Sequence, residues 1–263
     1  MDLGLRGKVA LVVAASKGLG KAVAMELSRE GAHVAIVART EAELQAAAEE
    51  IRRVAGNRVL ALPADVSVAA EIEALGRAVE AEYGRVDILV NNAGGPRPGT
   101  FADMTDEDWL SAVNLNLLSA IRLSRWVLPG MRQRRWGRII NMTSFSVKQP
   151  VPNLILSNVA RVGVVSMAKT LSRQVAGEGI TVNNVCPGYV ITDRLRNLAA
   201  SNARTENKTP EEIIAGWESS IPAGRLGRPE ELAALIAFLA SERAAYITGT
   251  TVQVDGGLLQ GLF

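Results

Sequence analysis

Short runs of β-branched and aliphatic residues alternate with longer helical patterns along the whole of this 263-residue chain. Val9–Ala14, Val34–Ala38, Val59–Leu62, Ile88–Val90, Arg138–Met142, Thr181–Val185 and Thr251–Val254 read as strands. Gly20–Glu30, Glu41–Ala55, Val68–Tyr83, Asp106–Arg135, Leu156–Ala176 and Pro229–Ala240 read as helices between them. Buried, continuously apolar strands alternating with helices need cover on both faces. That is the pattern of a doubly wound α/β domain with a parallel sheet. Thr40 with Glu43, and Thr209-Pro210 with Glu212, read as capping boxes that open two helices, the second with proline at its favoured first position. No repeat, low-complexity tract or linker interrupts the pattern, so residues 1–263 are expected to form one domain. The long strand-free stretch from Thr192 to Pro222 is polar and carries Arg194, Arg196, Arg204 and Lys208. It is expected to form a two-helix lid.

Composition removes several classes of function. A net charge of +2 is too small to argue for nucleic acid or an anionic membrane, although a pI of 8.8 leaves a mild cationic bias. No apolar run reaches the ~18 residues that a membrane span needs. The apolar stretch Val9–Ala15 is too short for a signal-peptide core with flanks, and Ser16-Lys17-Gly18 closes it, so it reads as the first strand. The one cysteine, Cys186, excludes an internal disulfide and agrees with a reducing cytoplasm. Neither Cys186 nor the one histidine, His33, has a partner nearby in sequence. Both are expected to be structural, and no metal site is expected.

The first strand runs out through Ala14-Ala15-Ser16-Lys17-Gly18-Leu19-Gly20 into a helix. Glycines at such a junction let backbone approach a pyrophosphate, and the free amides and dipole of the helix N-terminus favour its charge. Many strand-to-helix turns need glycine for geometry alone, so the position after the first strand is what gives this turn its weight. About twenty residues further on, an NAD site places Asp or Glu to bind the ribose 2′-hydroxyl. This chain has Ala38-Arg39-Thr40 instead. Arg39 can bind a 2′-phosphate that a carboxylate would repel, with Lys17 assisting, which favours NADP(H) over NAD(H). A solvated arginine at a strand end is the plainer alternative.

Further stretches resemble the short-chain dehydrogenase/reductase family, most closely its 3-oxoacyl-carrier-protein-reductase-like branch. Asn91-Asn92-Ala93-Gly94 matches that family's sheet-stabilising and cofactor-shaping motif, and Asp65-Val66 looks like its adenine-contacting pair. Pro187-Gly188 with Val190 and Thr192 resembles the segment over the nicotinamide amide, and Asp255-Gly256-Gly257 looks like the last strand and turn. The resemblance covers essentially the whole chain. It implies a seven-stranded Rossmann sheet, a homotetramer or homodimer in the cytoplasm, and a small-molecule substrate, anionic or acyl-carrier-linked.

The family's catalytic set is Asn, Ser, Tyr and Lys. By resemblance the asparagine falls on Asn116 rather than Asn114, and the serine on Ser144. Thirteen residues beyond Ser144, where tyrosine belongs, stands Ser157; four further on, where lysine belongs, stands Arg161. Val13-Ala14 likewise replace the usual Thr-Gly of the glycine turn. A tyrosine phenol starts at a pKa of about 10 and can be brought toward neutrality by a neighbouring lysine, whereas a serine hydroxyl is a far weaker acid. Arg161 stays protonated and offers a fixed fork of donors for ribose hydroxyls or an oxyanion. Losing the acid removes roughly 3–5 kcal/mol of catalysis, against about 7–11 kcal/mol available from holding the reactants together. Three readings follow: an NADP(H)-dependent reductase with a rearranged proton path, a cofactor-retaining binding protein without turnover, and a non-redox enzyme stabilising an oxyanion. Within the first, Tyr189 is a candidate proton donor with Arg161 lowering its pKa; the plainer role is an aromatic wall. Tyr83 and Tyr246 read as peripheral, Tyr83 at a helix end and Tyr246 in the C-terminal approach strand. Arg97, Lys148 and the lid arginines hint at an anionic substrate.

Overall fold

The computed structural model describes residues 2–262, so the expected domain span of 1–263 exceeds it by one residue at each end. Seven strands form one parallel sheet: β1 (Val9–Val13), β2 (His33–Ala38), β3 (Val59–Pro63), β4 (Ile88–Asn91), β5 (Gly137–Met142), β6 (Ile180–Pro187) and β7 (Thr251–Val254), in the order β3-β2-β1-β4-β5-β6-β7. The connecting helices are α1 (Gly18–Arg29), α2 (Glu41–Ala55), α3 (Ala69–Tyr83), α4 (Asp106–Ala112), α5 (Ser119–Arg134), α6 (Ile155–Val175), α7 (Asp193–Glu206), α8 (Pro210–Ser220) and α9 (Pro229–Ala240). The doubly wound α/β architecture expected from the alternation is therefore the one observed. Alternate residues of each strand supply the two cores. Ala10 and Val12 of β1 pack with α1, α2 and α9, while Leu11 and Val13 pack with α3, α5 and α6.

The chain runs outward through β2 and β3, then returns to the other side of β1 as β4. A crevice must open there, outside the carboxyl ends of β1 and β4, and ligands of open α/β sheets bind in that crevice. An amide ladder holds the carboxyl ends of the inner strands in register. Asn91 donates to Asn141 (2.8 Å), Asn141 to Asn184 (3.0 Å), and Asn184 to Thr251 Oγ1 (3.1 Å), so side chains tie β4 through β7.

The structure departs from the sequence reading in local detail. The expected helix Asp106–Arg135 is split by a π-helical turn, Val113–Leu118, between α4 and α5. Thr40 makes no side-chain cap, and Glu43 reaches to Ser16 and Lys17 rather than back to the Thr40 amide. The box at Thr209 and Glu212 forms, with Pro210 at the start of α8. Tyr246 lies in the turn before β7 rather than in a strand, and it is fully exposed. His33 stacks on Tyr83, and Cys186 is buried against Thr143 Oγ1 at 3.2 Å.

Ala14 leaves β1 with φ at 51°, a left-handed conformation that costs a non-glycine residue about 1–2 kcal/mol. Glycine at this position would remove that strain while adding about 0.5–1 kcal/mol of unfolded-state entropy. Ala14→Gly is expected to stabilise the fold by about 0.5–1 kcal/mol, read as a higher urea midpoint with an unchanged slope. An unchanged or lower midpoint would mean that the turn holds no strain.

Candidate active site

At the head of the crevice, the turn from Ala14 to Gly20 carries the chain from β1 into α1. Gly18 has φ at 58°, and a Cβ on Gly20 would lie 2.8 Å from the Ala14 carbonyl carbon, so glycine is required for α1 to approach the strand this closely. Asn92 Nδ2 donates to the Ala14 carbonyl (3.4 Å), pinning the end of β4 to the turn. Thr192, whose hydroxyl accepts from the Leu195 amide to cap α7, stands over Gly18; a Cβ there would meet Thr192 Cγ2 at 3.5 Å. Pro187 and Gly188 end β6. A side chain at Gly188 would lie 2.8 Å from Asp255 Cα, and Val190 is buried beyond them, bridged to Gly227. The glycine turn, the end of β4 and the start of α7 thus meet around one groove, at Ala14, Gly18, Asn92 and Thr192.

At the β2 end of that groove, Arg39 is exposed and makes no hydrogen bond or ion pair among the described residues. Its charge reaches Asp65. Burial works to raise the Asp65 pKa, but bonds from the Ser67 side chain and backbone, with Arg39, outweigh it and hold the carboxylate below its ordinary value. Val66 beside it is buried. Glu43 was missed by sequence reasoning as a neighbour of this groove. It pairs with Lys17 at 3.3 Å and accepts from Ser16 Oγ at 3.5 Å. The residues suit a dinucleotide: a left-handed glycine under a free helix terminus for the pyrophosphate, and an unpaired guanidinium where a ribose phosphate would lie.

At the β4–β5 end, Arg161 is buried, 8% exposed, and nearly used up by the protein itself. Its Nε donates to Ser157 Oγ (3.2 Å), Nη1 to the Met142 and Thr143 carbonyls (3.1 and 3.2 Å), and Nη2 to the Ala93 carbonyl (3.1 Å). A guanidinium has five N–H donors, so one on Nη2 remains. Burial, and secondarily the charge of Arg194, lowers the Arg161 pKa to about 10, so it stays charged at neutral pH. Ser157, 7% exposed, is bonded to it one helical turn away on α6. Asn116 lies in the π-helical turn, buried, with neither side-chain oxygen nor nitrogen partnered. Asn114 instead turns back to the Leu110 carbonyl. Asn116 and Arg161 border a cavity of about 10 Å³, room for about one water molecule. Ser144 Oγ accepts from the Ser146 amide (3.1 Å) and keeps its own proton to donate.

Tyr189 stacks on Trp217 of α8 (4.9 Å between centroids, 9° between planes) and tilts against Phe145 (5.3 Å). Burial raises its pKa, and the expected lowering by Arg161 is not found. Of the cations that hinted at an anionic substrate, most are already engaged. Arg97 is gripped by both oxygens of Asp108, Arg196 pairs with Asp193 (3.7 Å), Lys208 with Glu206 (2.7 Å), and Lys148 donates to Gln253 (2.8 Å). Arg194 alone reaches the loop after β4, donating to the Gly95 carbonyl at 3.4 Å.

A parallel sheet with a glycine turn at its switch point defines a dinucleotide-binding protein of the α/β class. The family model described as enoyl-(acyl carrier protein) reductase matches residues 13–259, and with the relatives below it shows that the chain belongs to the short-chain dehydrogenase/reductase family. The 3-oxoacyl-[acyl-carrier-protein] reductase of Haemophilus influenzae is 41% identical over 254 residues, covering 97% of this chain and 99% of that protein. The L-sorbose reductase of Gluconobacter frateurii, solved with NADPH and L-sorbose, superposes with a TM-score of 0.95 at 35% identity over 100% of both chains. An actinorhodin polyketide ketoreductase solved with NADPH gives 0.93 at 38% identity, over 97% of this chain and 98% of that one. Among the described residues, no helix is long and apolar enough to cross a membrane, and no cluster of three or more His, Cys, Asp or Glu residues could hold a metal.

Proposed function

We propose that the protein is an NADP(H)-dependent oxidoreductase that interconverts a ketone and its alcohol, in the manner of the 3-oxoacyl reductases. The observation that carries this reading is the nucleotide groove at the β1–β4 switch point, with unpaired Arg39 at its ribose end, in a chain that matches NADPH-bound carbonyl reductases along its whole length. The cofactor, when bound, supplies the hydride. Ser16, Lys17 and Arg39 would bind its phosphates, and Asp65 with Val66 would border the adenine. Asn92, Ala93, Gly94, Pro187, Gly188, Val190 and Thr192 would hold the remainder of the cofactor.

The proton side of the reaction falls to what stands where the resemblance expects Tyr and Lys. Ser144 donates its hydroxyl proton as a hydrogen bond to the carbonyl oxygen and orients it. Arg161 holds a permanent positive charge, fixed by the carbonyls at the end of β5, in whose field negative charge grows on that oxygen. Ser157, whose lone pair is engaged by Arg161 Nε, keeps its hydroxyl hydrogen for the same oxygen. Asn116, its amide unpartnered beside the same cavity as Arg161, is free to bind a water there. No strong acid stands in the site, so solvent completes proton transfer, and turnover rests mainly on positioning. NADPH consumption at 340 nm with 3-oxoacyl thioesters, polyketide-like ketones and ketoses tests the reading. Cofactor binding without consumption on any of them would favour a cofactor-retaining protein.

Tyr189 serves as a wall of the substrate cleft in this reading, supported by its ring being held between Phe145 and Trp217 and by burial raising its pKa. Tyr189→Phe is therefore expected to keep turnover within about threefold. A drop of about 10²-fold with unchanged cofactor binding would make its hydroxyl the proton donor instead. Helices α7 and α8 are proposed to act as the lid, since Trp217 and Thr192 bring them onto the cleft. A cytoplasmic homotetramer is also proposed. Leu110 on α4 and Val159 and Val162 on α6 expose apolar surface on neighbouring helices, which assembly would cover.

A further inference from the structure

We infer that the substrate carries a carboxylate and that Arg194 receives it, making this an oxo-acid or hydroxy-acid site. The inference rests on the carbonyl-reductase reading above and names its substrate class. Arg194 enters the cleft from the second position of α7, and its guanidinium lies so close to Gly95 that a methyl there would overlap it. Its one hydrogen bond is long, 3.4 Å to the Gly95 carbonyl, and no carboxylate among the described residues pairs with it. Arg161 donates to the Ala93 carbonyl, two residues back in the same loop, and has no carboxylate partner either. Two guanidiniums therefore face one loop within reach of each other's field, with no acid of the chain to balance them. Like charges so placed repel unless an anion comes between them.

The remaining cations near the cleft are poor candidates for that anion. Arg97, Arg196, Lys208 and Lys148 are engaged as described, and Arg204 lies ten residues, about 15 Å, further along α7. Arg161 has one donor left, whereas Arg194 has nearly its whole fork free, the geometry that grips a carboxylate through two parallel bonds. Arg194 is also exposed as a residue, so a ligand can reach it. A cofactor phosphate could supply the same negative charge, and the two sources separate experimentally.

The test is calorimetric titration of the NADP⁺-loaded protein with two acid and ester pairs, acetoacetate with methyl acetoacetate and 4-phenyl-2-oxobutanoate with its methyl ester. In the wild type at least one acid is expected to bind tenfold or more tighter than its ester. Arg194→Met should abolish that preference while changing ester binding and the NADPH Kd less than threefold, and Arg194→Lys should keep part of it. Equal binding of acid and ester in both pairs, or no binding by either acid, overturns the proposal. So does an Arg194→Met variant that weakens NADPH while sparing acid binding, since the guanidinium would then serve the cofactor. Calorimetry reads the carboxylate site whether or not turnover occurs. Oxidation of NADPH by the esters, without any preference for acids, would leave the reductase reading standing and remove only this one.

Discussion

Placing tyrosine at 157 together with lysine at 161 is expected to raise the reduction of activated ketones by about 10²-fold, the lower range of what a positioned acid contributes. Ser157 and Arg161 are one turn apart on α6 and bonded directly, so a phenol and an ammonium there would share one helical face. The ammonium would depress the phenol's pKa toward the working range, which no neighbour can do for a serine. Two costs set the limits of the experiment. A tyrosine ring in a site that is 7% exposed overpacks by about 1–3 kcal/mol unless the neighbours yield. Lysine also cannot reproduce the fork that holds the Met142, Thr143 and Ala93 carbonyls together. Folding and cofactor binding are therefore measured on the same double variant. No gain in a variant that passes both would favour the non-redox readings of the site.

Arg39→Ala is expected to weaken NADPH binding about 10–100-fold and leave NADH binding within about twofold. One or two charge-assisted hydrogen bonds, worth about 1.5–3 kcal/mol each, are at stake. Glu43 supplies a control of opposite sign. Its carboxylate holds Lys17 and Ser16 beside the groove, and an exposed ion pair of this kind is worth about 0–1 kcal/mol. Glu43→Gln should release Lys17 for the 2′-phosphate and remove a like charge, tightening NADPH a few-fold without helping NADH. Titrations of both cofactors with the wild type and the two variants check this. Equal affinity for NADPH and NADH in the wild type would remove the assignment of Arg39.

The sheet was legible because its strands are apolar on both faces, as at Val9–Val13, where alternate residues enter opposite cores. The groove was legible in part because glycine at 18 and 20 marks positions where backbone geometry leaves little choice. Side-chain destinations were not. Thr40 and Glu43 have capping-box spacing, yet the carboxylate finds two partners in the turn after β1, a long-range alternative that no local pattern contains. The π-helical turn at Val113–Leu118 adds a residue to a helix whose sequence reads as regular, and it leaves Asn116 at the cavity. Arg161 and Ser157 stood out as substitutions, but the carbonyls that bind the guanidinium come from β4 and β5 ends remote in sequence. Arg194 was one of several lid cations, and the pairing of Arg196 and Lys208 and the distance of Arg204 along α7 set it apart.

The most direct measurement follows deuterium from NADPH labelled at nicotinamide C4 into product, by mass spectrometry, across oxo acids, 3-oxoacyl thioesters and ketoses. One deuterium on the new carbinol carbon of at least one product, with loss of 340 nm absorbance in step, is the predicted result. It would show that hydride transfer proceeds beside Ser157 and Arg161. NADPH bound tightly enough to raise thermal stability, with no deuterium in any product, would contradict the account and leave a protein that holds its cofactor without using it.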